Sequence, residues 1–272
     1  RTVKDLFERY QRDISPLKGG SRWEVLRINQ MLRSSLASVQ LSDLMPSDVI
    51  TWRDRRLKSV LGSTVNRELN IVSHAFETAR KEWIWIQENP CKSVSRPKDP
   101  PARDRRVSDK EIELIRIALN YADDFQGVMS MQRVAIAFLF AIETAMRAGE
   151  ICGLRTADVR GNVAILRETK NGTTRRVPLS KRALELLTFL PENDAGFLFN
   201  LKSPNLSSIF RKYVSLDIIT DLTFHDSRHE AITRLAAKLD VLDLARMVGH
   251  KDLNQLMVYY NKTAEDMADA LG

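Results

Sequence analysis

Residues 245–261, ARMVGHKDLNQLMVYYN, combine side chains that could carry out nucleophilic chemistry. Gly249 stops a helix-like run, His250 follows it directly, and Tyr259 and Tyr260 come shortly afterwards. A phenol has a pKa of about 10, so it attacks an electrophile only when cationic neighbours and a proton acceptor assist it. Adjacent tyrosines are more often half-buried packing. The two tyrosines are therefore either packing residues, or one of them is a nucleophile.

Other motifs in the same part of the chain supply cations and imidazoles. TAMRAGEICGLR places Arg147 after an apolar helix, with Glu150 three residues further on, and ETKNGTTRRVPL places Lys170 at a hairpin tip. HDSRH places His225 and Arg228 one helical turn apart, so their side chains point the same way. Each motif alone has an ordinary explanation, such as a surface ion pair or a turn residue. Only the combination of these motifs, in this order, indicates a functional site.

The composition indicates a globular protein of one large or two ordinary domains. The chain has 272 residues, of which 43% are hydrophobic and 28% charged, enough for a sizeable core. Cys91 and Cys152 form no CxxC pattern, which indicates no disulfide framework or zinc ribbon and predicts a reducing, cytoplasmic setting. The longest apolar run, 134–142, is far shorter than the roughly 20 residues of a membrane span. A first residue of Arg1 predicts a fragment, or a chain whose start is missing.

Positive charge is concentrated in the first third of the chain. Residues 1–97 contain 17 Lys and Arg against 11 Asp and Glu, a net charge of +6, whereas residues 98–272 have a net charge of +1. A basic region on a nearly neutral remainder favours a polyanionic partner, most simply nucleic acid. A solvated basic face explains the composition equally well.

The first third also reads as helices. Apolar residues recur at helical spacing in SRWEVLRINQMLRSSLASV, MPSDVITWRDRRLKSVLG and STVNRELNIVSHAFETARKEWIWI. Ser63 or Thr64 is the expected N-cap of the third helix. Trp83, Trp85 and Ile86 are expected to close a small helical core rather than to stack on bases.

A proline-rich basic stretch, NPCKSVSRPKDPPARDRR, follows. Proline blocks helix and removes backbone donors, so an extended linker is expected. We predict a helical domain at 1–97, a linker at 98–106 and a second domain at 107–272. The charge of the linker would suit a strap along a phosphate backbone, and solubility alone would also explain it.

The second domain is expected to be mostly helical with one small sheet. Ser108 and Glu111 have capping-box spacing, and MQRVAIAFLFAIETAMRAGEICGL reads as a buried central helix followed by a shorter one. Alternating Val and Ile residues around Asn171-Gly172 predict a β-hairpin, with another strand before it. Further helices are predicted around 180–190, 203–215, 226–238 and 241–248. The fold class is therefore mainly α with a small antiparallel β-sheet.

Taken together and in this order, the motifs resemble the tyrosine recombinase family, which includes the phage integrases. The resemblance covers essentially the whole chain: a helical domain, a basic linker and a mixed domain. It implies that 1–97 is a core-type DNA-binding domain and that 107–272 is the catalytic domain. The series Arg, Lys, His-x-x-Arg, His and Tyr is highly specific, and AMRAGEI and the step from the GH pair to Tyr259 match the family best. It implies a site-specific recombinase that cuts and rejoins DNA through a covalent 3′-phosphotyrosine.

The resemblance also implies roles for individual residues. Arg147 and Arg228 would clamp the scissile phosphate, and Glu150 would support the site from behind. Paired guanidinium donors suit a transition state whose charge is spread over phosphate oxygens. Ser227 and Ala148 depart from the residues usual in the family, at tolerant positions that do not touch the chemistry.

The remaining roles concern protons and the nucleophile. Lys170 would protonate the leaving 5′ oxygen, and His225 would contact the phosphate and assist proton transfer. His250 would donate a hydrogen bond to a phosphate oxygen. Tyr259, rather than Tyr260, matches the nucleophile.

The resemblance implies no metal or ATP, because the phosphotyrosine stores the bond energy of the cut strand. The expected partner is double-stranded DNA with inverted-repeat core sites, enclosed in a C-shaped clamp by the two domains. The active unit would be a homo-tetramer on two DNA sites. DNA-bending proteins are candidate accessory factors. The segment 261–272 is expected either to dock on a neighbouring subunit or to pack on its own domain.

Three other classes of protein compete with this interpretation. A type IB topoisomerase uses similar chemistry without partner exchange, but the basic helical domain and the integrase-like spacing argue against it. A non-catalytic DNA-binding regulator would not need the complete residue set. A helical interaction protein with a basic patch leaves the coincidence of motifs unexplained. The sequence does not distinguish integration, inversion and dimer resolution.

Overall fold

The computed structural model of the protein describes residues 1–101, 103–122, 127–167, 174–216, 218–250 and 252–260. The chain divides into two compact units, Arg1–Ala102 and Arg103–Gly272. The division falls inside the segment 98–106 that the sequence predicts as a linker. Each unit has its own apolar core.

The first unit is helical. Its helices are α1 Val3–Asp13, α2 Ser21–Met31, α3 Pro46–Leu57 and α4 Gly62–Lys81. Helices α2 to α4 lie where the sequence patterns predict them, whereas α1 was not predicted. Thr2 caps α1 by accepting a hydrogen bond from the backbone N–H of Asp5. The helix is amphipathic, and its buried face consists of Val3, Leu6, Phe7 and Tyr10.

The predicted cap of α4 is wrong. The helix begins at Gly62 with Leu61 at the N-cap, so Ser63 and Thr64 lie inside the first turn. The Cβ of any other residue at 62 would lie 2.8 Å from the backbone oxygen of Lys98. Close packing against the chain at Lys98, which local propensity cannot reveal, therefore favours glycine at the helix start.

Helix α4 also ends earlier than its apolar pattern suggests. It stops at Lys81, and Ile84 adopts a left-handed backbone conformation with φ of 53° that breaks the helical repeat. Trp83, Trp85 and Ile86 pack against the core of the first unit, as predicted. The guanidinium of Arg9 lies 4.4 Å from the ring centroid of Trp83, which adds a cation–π contact to that packing.

The second unit contains more helices and the sheet. Its helices are α5 Asp109–Ala118, α6 Ser130–Thr144, α7 Ala148–Gly153, α8 Lys181–Thr188, α9 Ser203–Phe210, α10 Asp226–Ala236, α11 Val241–Val248 and α12 Asn254–Met257. A π-helical turn, Arg211–Ser215, extends α9. The capping box of Ser108 and Glu111 at the start of α5 is confirmed. Among the helices in these ranges, none is long and apolar enough to cross a bilayer.

Three short strands form the predicted antiparallel sheet. They are β1 Val159–Arg160, β2 Val163–Leu166 and β3 Arg175–Pro178, in that spatial order. Val163 pairs with Pro178 and Leu166 pairs with Arg175. The predicted turn at Asn171-Gly172 lies outside the described residues. The observed fold class, mainly α with a small antiparallel sheet, agrees with the prediction.

Helix α6 is the centre of the second unit. It is almost entirely buried, and Phe138 on it stacks on Phe210 with ring centroids 5.0 Å apart and meets Phe224 edge-on at 5.7 Å. Helix α6 packs against α10, and Arg228 in the first turn of α10 donates a hydrogen bond to the carbonyl of Ala145 at the end of α6. The end of α6 and the start of α10 carry residues to which the sequence assigns chemistry.

Candidate active site

The junction between α6 and α7 positions the first arginine of the site. Ala145 caps α6 in a left-handed conformation with φ of 53°, and the fully buried Met146 anchors the turn that follows. Arg147 is then the N-cap of α7. Its backbone N–H donates to Glu150 Oε2 at 2.8 Å and its Nη1 to Glu150 Oε1 at 3.2 Å. The Arg147 side chain is 28% exposed, so its remaining donors are available to a substrate.

An arginine that the sequence motifs did not single out holds Glu150 from the other side. Arg175, at the start of β3, donates Nη1 and Nη2 to the two Glu150 oxygens at 2.7 and 2.8 Å and Nε to the Met247 carbonyl at 3.1 Å. Burial alone would raise the pKa of Glu150, but the hydrogen bonds from Arg175 and the Arg147 backbone lower it. Arg175 thereby connects β3, α7 and α11.

The strand pattern contains a signal that could have found Arg175. Side chains two apart on a strand point to the same face, and Val177, two residues along β3, is fully buried. An arginine on the buried face needs a carboxylate partner. The sequence alone does not show which carboxylate that is.

Arg228 lies deeper than Arg147 and connects two helix ends. Its side chain is 4% exposed, and its guanidinium donates to the carbonyl of Ala145 at the end of α6 and to that of Val248 at the end of α11, the latter at 2.8 Å. The last carbonyls of a helix lack partners within the helix, so a buried arginine suits them. Burial and the charge of Arg147 lower the pKa of Arg228 to about 9, which leaves it charged at neutral pH.

The two histidines of the predicted site sit at helix ends. His225 is the N-cap residue of α10, and desolvation followed by the charge of Arg228 lowers its pKa. His250 follows Gly249, the left-handed cap of α11. Burial and then the charges of Arg228, Arg147 and Arg175 lower the pKa of His250 to about 4. Both imidazoles are therefore expected to be neutral at pH 7.

The loop after α12 places the two tyrosines differently. The Tyr260 hydroxyl donates to the Leu239 carbonyl at 2.8 Å, so it is already engaged. The Tyr259 ring packs against the His229 ring, with centroids 5.2 Å apart. Burial, followed by the charge of Asp104, raises the pKa of Tyr259, while Arg228 acts in the opposite direction.

The structure places most of the predicted site residues close enough together for their charges to affect one another's pKa. The charges of Arg147 and Arg228 act on both His225 and His250, and that of Arg228 also acts on Tyr259. Lys170 lies outside the described residues. Arg175, His229 and Asp104 border the site and were not predicted. Within the described ranges, no cluster of three His, Cys, Asp or Glu side chains could hold a metal ion.

Substitution of Gly249 tests the contact between the α11 cap and Arg175. A Cβ at 249, where φ is +70°, would lie 2.9 Å from Arg175 Nη1, whereas at Gly161, with φ of +58°, it would meet nothing within 4 Å. We expect both Gly→Ala variants to lose about 1–3 kcal/mol of unfolding free energy from backbone strain. Only G249A should also slow the DNA cleavage that the sequence motifs lead us to expect, because it displaces Arg175 from Glu150. Equal cleavage rates for the two variants would contradict this account.

The linker residues next to the site are bound to α10. Arg106 Nε donates to the Glu230 carboxylate at 2.7 Å, as does Arg234 Nε, and the Val107 N–H donates to it at 3.1 Å. Arg103 forms two hydrogen bonds with the buried Asp226 carboxylate. Arg103 and Arg106 therefore bind to side chains of α10 and do not form a free strap for a phosphate backbone.

Glu230 should make stability depend on acid pH. Its burial would raise its pKa, but its arginine partners hold that pKa at about 2, below the ordinary 4.5. Ionised Glu230 therefore stabilises the fold above about pH 4.5, and this contribution disappears as the pH falls towards 2. We expect Glu230→Gln to flatten the loss of unfolding free energy between these values, measured by urea titration. The control, the exposed Glu192→Gln, should keep the wild-type slope, and an unchanged slope in Glu230→Gln would refute the assignment.

Comparison with known proteins identifies the family of the chain. The model of the phage integrase family matches residues 105–266. A putative integrase/recombinase of Haemophilus influenzae is 40% identical over 270 residues, covering 97% of this chain and 87% of the relative. The shufflon-specific DNA recombinase of Escherichia coli is 35% identical over 277 residues, covering 97% of this chain and 70% of the relative.

A solved structure shares the fold at lower identity. The lambda integrase(75–356) dimer bound to a COC′ core site superposes with a TM-score of 0.78 at 20% identity, covering 97% of each chain. The chain belongs to the phage integrase family, the tyrosine recombinases. It is a site-specific DNA recombinase, an enzyme that cleaves and rejoins DNA.

Proposed function

We propose that Tyr259 is the nucleophile of this recombinase. Its oxygen attacks the scissile phosphorus, the bond to the 5′ oxygen breaks, and a 3′-phosphotyrosine and a free 5′-hydroxyl result. A 5′-hydroxyl of the partner strand then reverses the step and releases the tyrosine. The observation that supports this proposal best is the packing of the Tyr259 ring on His229, the residue that follows the buried Arg228 on α10.

The two arginines have different proposed tasks in the clamp. Arg147 is part-exposed and held by Glu150, so it can reach a non-bridging phosphate oxygen with its free donors. Arg228 is held by hydrogen bonds to two backbone carbonyls, so its positive charge is in place before the reaction begins. Donors that are fixed before the charge develops stabilise an anionic transition state without reorganising.

The neutral histidines and the lysine complete the proposed mechanism. A neutral imidazole at His250 can donate one N–H to a phosphate oxygen, and His225 can exchange a proton near the phosphate. Lys170 is proposed to give its proton to the leaving 5′ oxygen. Glu150 is proposed as a supporting residue, because it accepts hydrogen bonds from both Arg147 and Arg175.

We propose that strand transfer needs neither metal nor ATP. Each transesterification replaces one phosphodiester bond by another, so no external energy is required. The paired guanidiniums supply the positive charge that a metal ion provides in other phosphoryl-transfer enzymes. Cleavage should therefore proceed at an undiminished rate in EDTA without nucleotide.

The proposed substrate is double-stranded DNA with inverted-repeat core sites. The basic first unit would provide phosphate contacts, which give affinity without reading sequence. The lambda integrase structure shows two copies on one core site. Because exchange of two duplexes needs four cuts, we propose a tetramer on two sites, with accessory DNA-bending proteins as further candidates. The setting would be the cytoplasm.

Covalent trapping tests the proposed function. Candidate substrates are the inverted repeats in the DNA flanking the gene, each nicked so that the cut fragment diffuses away and prevents religation. We expect a covalent protein–DNA adduct on the repeat and none on scrambled DNA. Relaxation of any supercoiled plasmid, independent of a repeat, would instead indicate topoisomerase activity, and specific binding without an adduct would indicate a regulator.

A further inference from the structure

His229, one residue after Arg228 on α10, has no task in the mechanism proposed above. Its ring packs on that of Tyr259, with an interplanar angle of 58°. Its Nε2 lies 3.5 Å from Oδ1 of Asp104. Its Nδ1 is buried and has no hydrogen-bond partner among the described residues. The imidazole therefore contacts the tyrosine through its ring and a carboxylate through one nitrogen.

Asp104 is held in place by its neighbours along the chain. Arg103 Nε donates to Asp226 Oδ1 at 2.6 Å, and Arg105 Nη2 donates to Glu111 Oε1 at 2.5 Å. These pairs attach the backbone on both sides of Asp104 to the second unit. The Asp104 side chain itself is 92% exposed, so its position beside His229 depends on these anchors.

The segment that carries Tyr259 has little support of its own. Helix α12 has four residues, Asn254–Met257, and so short a helix is marginal without packing. Leu256 is buried against the cluster formed by α10 and α11, and Tyr260 is tied to Leu239. These contacts hold the backbone, whereas the direction of the Tyr259 ring depends on the surface beside it.

We propose that His229 is a positioning residue that aligns the ring of Tyr259, and that Asp104 orients the imidazole for this task. The proposal rests on the proposed role of Tyr259 as nucleophile. An attacking atom misplaced by about 1 Å can cost on the order of 10² in rate. Because Nδ1 has no partner in the described part of the chain, the shape of the ring matters more than that nitrogen.

Single-turnover cleavage by the full chain on a nicked repeat tests this proposal. We expect H229A to cleave on the order of 10–100-fold more slowly than the wild type, with unchanged DNA affinity. H229F keeps a flat ring but loses the contact of Nε2 with Asp104, so it should be slowed severalfold, as Asp104→Ala is, and clearly less than H229A. An H229A variant as fast as the wild type, or an H229F variant as slow as H229A, would overturn the proposal.

A substrate with sulfur in place of the 5′ bridging oxygen distinguishes a defect in protonation of the leaving group from a defect in nucleophilic attack. A thiol has a pKa of about 8.5, so a thiolate leaves without a proton donor. The sulfur substrate should rescue Lys170→Ala, whose defect concerns the leaving group. It should not rescue H229A, whose defect concerns the nucleophile, and rescue of H229A would refute the positioning role.

A surface variant keeps the test valid if H229A does not fold. Asp104→Ala should slow cleavage severalfold and move the pH–rate midpoint to lower pH, because Asp104 raises the pKa of Tyr259 while Arg228 lowers it and His229 packs on it. The matched control is Asp194→Ala, an exposed loop residue of the same unit. Identical rates and pH profiles for the two variants would overturn the proposal. Covalent cleavage by Tyr259→Phe would instead refute the underlying function.

Discussion

Replacement of Tyr259 by Phe should abolish the covalent adduct, whereas Tyr260→Phe should retain it. The first change removes the oxygen that we propose attacks phosphorus, and no other group can take its place. The second removes a hydroxyl that donates to the Leu239 carbonyl at 2.8 Å. That loss should cost about 1 kcal/mol of stability and leave chemistry largely intact. Adduct yield on a nicked repeat, followed by denaturing gel electrophoresis, measures both.

The two tyrosine variants act as controls for each other. Both lose one phenolic oxygen from adjacent residues that contact the same apolar cluster. Both should bind DNA with wild-type affinity, because binding is spread over many phosphates. An adduct formed by Tyr259→Phe, or lost in a folded Tyr260→Phe, would reverse the assignment.

Arg147→Ala and Arg228→Ala should each slow cleavage by about 10²–10³, the usual effect of losing an electrostatic contact to a transition-state anion. They should differ in stability. Arg228→Ala leaves the carbonyls of Ala145 and Val248 without their buried donor, which should cost about 1–3 kcal/mol. Arg147→Ala removes a part-exposed side chain and should unfold at nearly the wild-type temperature.

Gel-shift affinity and thermal unfolding separate the two effects. DNA affinity should change only severalfold in both arginine variants. The control is Arg246→Ala, which removes an exposed arginine paired with Asp243 and should alter neither cleavage nor stability. A parallel loss of affinity and cleavage would mean that Arg147 and Arg228 serve general binding rather than the transition state.

Local signals in the sequence were sufficient for several elements. Helix α11 spans Val241–Val248 as predicted, because Asp240 caps its start and Gly249 takes up the left-handed conformation at its end. The break between α6 and α7 before Arg147 was also predicted. These features depend on residues within one or two turns of each other.

Features that depend on distant partners were not predicted. Arg175 pairs with Glu150 across 25 residues of chain, and His229 meets Asp104 across 125. Nothing local distinguishes these residues from surface charges. The left-handed conformation of Ile84 likewise ends α4 inside an apolar run that reads as helix. Tertiary packing decides such positions, so only the folded chain shows them.

The most direct test of the account is to identify the residue joined to DNA. The adduct formed on a nicked repeat is digested with protease and nuclease, and the peptide that carries the nucleotide is sequenced by mass spectrometry. We predict a single modified peptide with the phosphate on Tyr259. A nucleotide attached to Tyr260, or to any other residue, would contradict it.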